Sequence, residues 1–419
     1  MSKFSPQAQA PRYMQSFQCV GSACVETCCA GWQVNIDKTT YQKYQAVKIE
    51  PLAGKLRQHV HKASGAARNL GYGVIELKSE EACPFLDQAK LCSIQTALGP
   101  EALSRTCSDY PRIYTQDGSH LGLSASLSCP EAARIALTQP DALEMESLTL
   151  PFANPGLVPV GRRLAPLAAN EADPVRRHAS LLREALLTLI RQPGLSAAQA
   201  MVVCGMLLRR VAKSVSADEI AIGQQAEQMQ DPTSVAEQGM ADAMAHYLSP
   251  EFLSRAPGQL RALPVLKEVQ SALLMGATEQ FLSQHGGRAS FRLLMSEAGP
   301  GFQSPGAGLA RFAELDAAQP HLLKNYLLNS LIGDLFPRNG AAELEEEFMA
   351  IAVRFALIQF YLKGLAARAE HDFGADDFVR VVYVVARNIE HNRRFMPTVL
   401  KALRDQDALR LEVLVTLVG

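Results

Sequence analysis

Residues 19–32 read CVGSACVETCCAGW, and this stretch places four cysteines within eleven positions. Eight of the nine cysteines lie before residue 130, and they are Cys19, Cys24, Cys28, Cys29, Cys83, Cys92, Cys107 and Cys129. The remaining 290 residues contain only Cys204. Thiolates are soft metal ligands, so eight of them in one region of a chain without export features indicate metal chemistry.

The alternative to metal binding is a disulfide framework, and the N-terminus argues against it. Residues 1–18 read MSKFSPQAQAPRYMQSFQ, which has no apolar run of the kind that a secretory signal needs. The longest apolar stretch, residues 348–369, is interrupted by Arg354, Gln359 and Lys363, so we interpret it as a buried helix rather than a membrane span. These features predict a cytoplasmic protein without a transmembrane segment, whose thiols are reduced or metal-bound.

Composition excludes some classes of protein. Hydrophobic residues make up 48% of the chain and charged residues 20%, which is typical of a globular protein. The formal net charge is −1, and aromatic residues account for only 6% with a single Trp. Neither an electrostatic attraction to nucleic acid nor a base-stacking surface is expected from these values.

Proline spacing divides the chain. Pro140, Pro151, Pro155, Pro159 and Pro166 punctuate a segment that cannot form a long helix. We predict a Cys-rich metal-binding domain over residues 1–138, a Pro-rich connector over 139–178 and a helical domain over 179–419. The fold class expected is mainly α, with little strand in the N-terminal domain and an all-α remainder.

Helical periodicity is clear after residue 179. Leucine spacing predicts a helix over Ser180–Arg191, and Ser196 with Gln199 forms a capping-box pattern before a second helix over Met201–Val211. Further helices are expected over Asp231–Leu248, Pro264–His285, His321–Phe336, Leu344–Ala369 and Asp376–Asn392. The segment Gly73–Leu77 is the best candidate for a strand.

The N-terminal cysteines have spacing that suits a metal centre. On a helix, Cys24 and Cys28 would share one face, and Cys29 would lie about 100° further round. A [4Fe–4S] cluster takes four thiolates, or three with one iron left open, and structural zinc takes four. Eight cysteines exceed either requirement, so the sequence allows one cluster with additional structural cysteines, or two centres.

Eight short motifs along the chain have a distinctive pattern. They are CCAGW (28–32), CPFLD (83–87), LCSIQTALG (91–99), LSRTCSDYPR (103–112), LSCPE (127–131), KNYLLN (324–329), VRFAL (353–357) and ARNIEHN (386–392). These motifs resemble those of the flagellin lysine-N-methylase family. The resemblance covers nearly the full chain. It implies S-adenosylmethionine as methyl donor, a [4Fe–4S] cluster held by the cysteine-rich motif, and ε-amino groups of flagellin lysines as substrate.

The cysteine pattern alone is also similar to a broader CxxxCC-type family that chelates zinc or iron. That resemblance leaves a second hypothesis, a non-catalytic metal-binding adaptor with zinc in its N-terminal domain. A methylase acting on a protein other than flagellin is a third, because nothing in the chain encodes the identity of the partner.

The sequence contains no ordinary binding motif for a methyl donor. There is no strand followed by a glycine-rich turn and a helix, and the CxxxCxxC signature of radical S-adenosylmethionine enzymes is missing too. We therefore expect a cluster assembled from distant cysteines, namely Cys24, Cys28 or Cys29 with Cys83, Cys92 and Cys107. Cys19 and Cys129 are further candidates. The donor would chelate an open iron of this cluster.

Catalytic candidates come from the helical part. Methyl transfer to lysine by the polar route needs a neutral amine, so we predict a base among Glu390, His391 and Tyr326, with Asp109 as a further candidate. A radical route would make these groups secondary. Each candidate also has a structural interpretation, because Glu390 and His391 end a predicted helix, where a His commonly interacts with the dipole.

Donor-binding candidates also lie in the helical part, and they are Arg354, Asn325 and Arg387. Arg354 is set in an apolar helix, where an internal salt bridge is the main alternative to a bound carboxylate. Asn325 would bind a ligand or cap a neighbouring helix. Arg387 lies within the ARNIEHN motif.

Overall fold

The computed structural model describes residues 5–31, 34–65, 71–78, 82–152, 158–164, 173–216, 232–303, 305–368 and 372–419. The described strands are β1 (Gln7–Pro11), β2 (Val34–Ile36), β3 (Val60–Lys62), β4 (Gly73–Ile75), β5 (Arg112–Asp117), β6 (His120–Ala125), β7 (Met145–Thr149) and β8 (Arg162–Arg163). All of them lie before residue 164, and the rest of the described chain is helical.

The larger sheet has the strand order β7-β1-β6-β5-β8. Strands β5 and β6 form an antiparallel hairpin, with Asp117 opposite His120 across a two-residue turn. Gly118 in that turn has φ +57°, a conformation that hairpin turns require and that glycine adopts without strain. Strand β1 lies parallel to β6 and antiparallel to β7, which brings residues 7–11 beside residues 145–149.

The smaller sheet is antiparallel, with the order β2-β4-β3. Its apolar side packs with two helices, α2 (Lys38–Gln45) and α3 (Leu52–His59), around a separate small core that includes Ile36, Leu56 and Phe85. Six of the eight described strands lie before residue 139, and the strand predicted over Gly73–Leu77 is present as β4. The other strands were not predicted from the sequence.

The N-terminal region and connector contain further short helices, which are α1 (Tyr13–Ser16), α4 (Ser93–Leu98), α5 (Arg105–Asp109), α6 (Pro130–Thr138) and α7 (Pro174–Arg177). The helical region then contains α8 (Ala179–Arg191), α9 (Ala197–Ser214), α10 (Pro232–Tyr247), α11 (Pro250–Arg261), α12 (Lys267–His285), α13 (Ala289–Gln303), α14 (Pro305–Ala318), α15 (His321–Asp334), α16 (Leu344–Ala366), α17 (Ala375–Ile389), α18 (Phe395–Asp405) and α19 (Leu411–Val418). Short 3₁₀ turns occur at Gly21–Ala23, Pro100–Ala102 and Ala341–Glu343. The mainly α fold is confirmed.

Helix α16 forms the centre of the larger core. Among the described residues, the segment Ala341–Ala366 is the one helical stretch long and apolar enough to cross a membrane, and 83% of its most apolar window is buried inside the protein. Such burial is typical of the core helix of a globular domain. The expected buried helix over residues 348–369 is confirmed as far as Ala366, and residues 369–371 lie outside the described residues.

Helix α15 joins the helical region to the larger sheet. Asn329 accepts a hydrogen bond from the Tyr13 hydroxyl at 2.7 Å and donates to the carbonyl of Ala125 at 3.1 Å. The Tyr13 hydroxyl in turn accepts from the amide of Ala125 at 2.8 Å. Because buried polar groups need partners, this closed set of bonds fixes α15 against the end of β6.

The proline-rich segment supplies edges of the larger sheet. Strand β7 pairs with β1, and β8 pairs in parallel with β5 at Thr115 and Gln116. Residues 153–157 and 165–172 of this segment lie outside the described residues. The predicted domain boundaries, with the connector at 139–178, stay a prediction.

Candidate functional site

A cavity of about 290 Å³ lies where the larger sheet meets the C-terminal helices. Its walls come from α5, β5, the segment after β6, α15, α16 and the end of α17. The three predicted catalytic residues, Tyr326, Glu390 and His391, all line it, as does Asp109. Sequence positions more than 200 residues apart thus meet at one place.

Two arginines and two carboxylates form a charged network in the cavity wall. Arg162 Nη1 lies 2.8 Å from Asp334 Oδ1, and Arg354 contacts the other oxygen of Asp334. Glu390 Oε1 is 3.7 Å from Arg354 Nη1. Burial alone would raise the pKa of Asp334, but Arg354 and Arg162 outweigh it and lower that pKa. Asp334 therefore stays ionised, and the internal salt bridge considered for Arg354 is present.

Glu390 is held less tightly than Asp334. Loss of water inside the cavity raises the pKa of Glu390, and the nearby charge of Asp334 raises it further against the opposing effect of Arg354. Its side chain is 22% exposed. A carboxylate of raised pKa that solvent can still reach is suited to accept a proton.

His391 and Tyr326 are both uncharged in this environment. Loss of water around the ring lowers the pKa of His391 to about 4, and Arg288, Arg387 and Arg162 add to the effect. The imidazole is therefore neutral near pH 7. Tyr326 is 1% exposed, and burial raises the pKa of its hydroxyl, which stays protonated.

Ser128 connects the cavity to the cysteines. Its hydroxyl lies 2.8 Å from His391 Nε2 and 3.0 Å from the hydroxyl of Tyr110, and it is fully buried. The next residue is Cys129, which precedes α6. Ser128 thus links His391 to the backbone beside Cys129.

Arg387, in α17, contacts the segment from Cys24 to Cys29, which we call the cysteine loop. Its Nε donates to the carbonyl of Ser128 at 3.0 Å, and its Nη1 lies 2.8 Å from Glu26 Oε1. Glu26 stands between Cys24 and Cys28, and its carbonyl accepts a hydrogen bond from the Cys24 thiol at 3.2 Å. Arg387 is 3% exposed, and burial of its charge is offset by Tyr110 and Glu26, which raise its pKa. The guanidinium thus faces the thiols rather than solvent.

Asn325 is placed differently from the other candidates. Its amide donates to the carbonyls of Ala136 and Gln139 at 2.9 and 2.8 Å, so it caps the end of α6. The cavity is lined instead by Asn329, one turn further along α15. The structure does not bring Asn325 to the other donor-binding candidates.

The cysteine loop is not helical. Gly21–Ala23 is a 3₁₀ turn that ends before Cys24, and the chain from Cys24 to Cys29 runs in turns and bends. The i, i+4 placement that a helix would give Cys24 and Cys28 is therefore absent from this segment. Gly31, at φ +70°, lies where such a helix would have continued, and this left-handed conformation ends helices.

Two neighbouring cysteines of this loop are in contact. The thiols of Cys28 and Cys29 are hydrogen-bonded to each other, which lowers the pKa of Cys28 to about 7 and raises that of Cys29. Cys19 is exposed, Cys83 is buried, and the other six are partly buried; none of the eight forms a disulfide. Within the described residues, no three His, Cys, Asp or Glu side chains form a group that could hold a single metal ion.

Several residues in the cavity wall or next to it escaped the sequence analysis. Arg162 and Asp334 lie in a Pro-rich segment and at a helix end, where nothing marks their chemistry. Ser128 and Tyr110 lie within the LSCPE and LSRTCSDYPR motifs. Their position beside cysteines was a signal that could have identified them.

Comparison with known proteins extends these observations. Residues 183–417, more than half of the chain, match the model of the FliB lysine N-methylase C-terminal domain. Two proteins named lysine-N-methylase, from Salmonella choleraesuis strain SC-B67 and Salmonella typhimurium strain LT2, are each 26% identical over 404 residues and cover 91% of both chains.

A third relative matches a shorter stretch of the chain. The flagellar biosynthetic protein FliU of Salmonella muenchen is 38% identical over 136 residues, which are 32% of this chain and 79% of that protein. No solved structure matches the chain. The helical scaffold that carries Tyr326, Arg354 and Glu390 lies within the matched region, and the chain belongs to the FliB lysine N-methylase family.

Proposed function

We propose that this protein is a protein-lysine N-methyltransferase of the cytoplasm that transfers methyl groups from S-adenosylmethionine to flagellin lysines, with a [4Fe–4S] cluster held by its N-terminal cysteines. The names of its relatives support the transferase activity, and the name of the flagellar relative supports a flagellar substrate. The observation that carries the proposal is the cavity itself, where a reachable carboxylate and a neutral imidazole lie beside the cysteine loop.

Arginines balance the carboxylates of the cavity wall. Asp109, Asp334 and Glu390 line it, and so do Arg112, Arg162 and Arg354. Asp334 is committed to two of these arginines, and Asp109 lies 3.4 Å from Arg105. Glu390, 3.7 Å from Arg354, is the carboxylate held least closely, and we assign it to bind the incoming ammonium. Loss of water raises the pKa of its carboxyl.

Proton removal is assigned to Glu390. The ammonium gives one proton to the carboxylate, and the freed electron pair of nitrogen then forms the N–C bond to the methyl group as the C–S bond of the sulfonium breaks. S-adenosylhomocysteine leaves with the electron pair of that bond. Tyr326 and neutral His391 orient the amine by hydrogen bonding, since neither is charged near pH 7.

The N-terminal cysteines are the soft thiol donors that an iron–sulfur cluster takes. They come from five separate segments of the chain, and the buried guanidinium of Arg387 offsets part of the negative charge that thiolates at Cys24 and Cys28 bring. When bound, a cluster with an open iron supplies a ligand position for the amino and carboxylate groups of the donor. Arg387, through its bonds to Ser128 and Glu26, then holds the cysteine loop beside the cavity.

The test is methyl transfer by the anaerobically purified protein, with labelled donor and flagellin. We expect Glu390→Gln to lower the rate by about 10²-fold, because general-base catalysis contributes at least this much. Glu346→Gln, a matched change at a carboxylate outside the cavity, should leave the rate unchanged. Equal rates for Glu390→Gln and wild type would refute the assignment of Glu390.

A further inference from the structure

The charged groups in and beside the cavity wall do not cancel. The wall itself has as many arginines as carboxylates, and the arginines are Arg112, Arg162 and Arg354. Arg105, which stands beside the cavity, pairs with Asp109 at 3.4 Å and adds a fourth guanidinium to the same region. The imidazole of His391 is neutral near pH 7. The described wall, counted together with Arg105, therefore has a surplus of one positive charge.

The surplus charge lies at Arg112. The other two arginines of the wall share Asp334, and Asp109 is taken by Arg105. The charge of Arg112 acts on Asp109 only at longer range than an ion pair. Among the described residues, its guanidinium has neither an ion-pair partner nor a hydrogen-bond acceptor. Arg112 is thus the cation of the cavity that lacks an anion.

The position of this guanidinium is fixed by its surroundings. Arg112 is the first residue of β5 and pairs with Ala125 of β6, which also lines the cavity. The guanidinium lies over the ring of Phe17, with 5.3 Å between its central carbon and the ring centroid. Phe17 is buried. A guanidinium placed in this way still has its N–H donors, whose fork binds a carboxylate by two parallel hydrogen bonds.

An entering lysine increases the surplus. Glu390 is assigned to bind its ammonium, but Glu390 already lies 3.7 Å from Arg354, so the charge of the amine adds to that of Arg112. Like charges repel more strongly in a cavity that is partly closed to water. A carboxylate that enters with the lysine and pairs with Arg112 removes this repulsion. The carboxylate of the donor is assigned to the open iron, so the protein substrate is the remaining source.

We propose that Arg112 binds an aspartate or glutamate side chain of the protein substrate that lies close to the methylated lysine. This inference rests on the proposed function, because it concerns the substrate of the same cavity. Glu390 takes the amine and Arg112 takes the carboxylate, so two residues of the wall recognise opposite charges. The preferred substrate is a segment with a lysine and an acidic residue side by side, and a lysine among neutral residues is a poorer one.

The test uses fluorescent peptides that contain one lysine, with glutamate at each flanking position in turn, and matched peptides with glutamine. Their binding to the anaerobically purified full chain is measured by fluorescence anisotropy without donor. We expect the wild type to bind the best glutamate peptide about tenfold more tightly than its glutamine counterpart, since a hydrogen bond between charged groups contributes this much. Arg112→Gln should abolish the difference and leave the affinity for S-adenosylmethionine unchanged.

Charge reversal gives a readout that a damaged fold does not produce. Arg112→Glu should bind peptides with arginine at the same flanking position more tightly than those with glutamate. The matched control is Arg163→Gln, which changes an exposed arginine of β8 outside the cavity. This variant should keep the preference of the wild type for glutamate.

Equal binding of both kinds of peptide by the wild type would overturn the proposal, and this comparison needs no variant to fold. A preference that survives in Arg112→Gln would overturn it too, and so would a variant that keeps the preference and loses affinity for S-adenosylmethionine. A wild type that prefers glutamate peptides but transfers no methyl group to any of them, or to flagellin, would instead overturn the proposed function. Arg112 would then still select acidic segments that contain lysine.

Discussion

At Arg354, one guanidinium compensates two carboxylates that lie in a cavity wall. The side chain is 14% exposed, and it contacts Asp334 while Glu390 lies 3.7 Å away. Removing one partner of a buried ion pair leaves an uncompensated charge. We expect Arg354→Leu to lower the free energy of unfolding by about 3 kcal/mol, measured by urea denaturation.

The control for Arg354 is a pair at the surface. Arg404 contacts Glu346 with its own side chain 57% exposed. Arg404→Leu should change the free energy of unfolding by less than about 1 kcal/mol, as solvent-exposed ion pairs do. If Arg354→Leu lowered the free energy of unfolding as little as Arg404→Leu, the Arg354 network would not be a stabilising contact.

The carboxyl group of Asp316 should make the free energy of unfolding depend on pH. Burial raises the pKa of this carboxyl to about 6, although Lys324 and Lys363 oppose the shift, and its Oδ1 is buried without a hydrogen bond. This folded pKa exceeds the unfolded value of 3.8. Between pH 4 and pH 6 the folded state therefore binds more protons than the unfolded state. The free energy of unfolding consequently falls as pH rises through this range.

Asp316→Asn removes that dependence. At pH 7.5 we expect the variant to be more stable than wild type by about 1 kcal/mol, allowing for solvent screening of a partly buried side chain. At pH 4 the two proteins should have similar free energies of unfolding. A variant less stable than wild type at pH 7.5 would show that the carboxylate is needed.

At the scale of the elements, α9 begins with a complete capping box. Ser196 accepts a hydrogen bond from the Gln199 amide at 3.2 Å, and the Gln199 side chain accepts from the Ser196 amide at 3.0 Å. We expect Ser196→Ala to lower the free energy of unfolding by about 1 kcal/mol, measured by thermal and urea denaturation. Ser283→Ala, near the exposed end of α12, should have almost no effect.

The helices with caps and regular periodicity were predictable from sequence. Those over Ser180–Arg191 and Leu344–Ala369 match α8 and α16, and the capping box at Ser196 is confirmed. Helices α13 and α14 were missed because Gly301, Gly308 and neighbouring prolines resemble breakers. In the structure a Cβ on Gly301 would lie 2.1 Å from the carbonyl oxygen of Gly364, and one on Gly308 would lie 2.6 Å from that of Lys363. Glycine is required there for close helix packing.

At the scale of the whole molecule, buried contacts join the cysteine loop to the helical region. Arg387 pairs with Glu26, and Arg288 donates to the carbonyl of Gly31 at 3.0 Å. We expect Arg387→Met to raise the hydrogen-exchange rates of residues 24–31 while the amides of α16 exchange as in wild type. Arg134→Met, which removes an exposed pair with Glu131, should change neither. Unaltered exchange in the loop would contradict its docking by Arg387.

Long-range assembly also limits what sequence can show about the site. Tyr326, Glu390 and His391 were predicted as candidates, but their common cavity depends on β8 and on the end of β6. Arg162 and Asp334 meet only because these elements meet.

The central claim is lysine methylation that depends on the cysteine-bound metal. The most direct measurement is transfer of labelled methyl groups to flagellin by anaerobically purified protein, before and after the metal is removed by chelation. We predict label on lysine side chains with the loaded protein, loss of transfer on stripping, and recovery after iron and sulfide are restored. Transfer that survives complete removal of metal would contradict the account, and so would a fully loaded protein that transfers nothing.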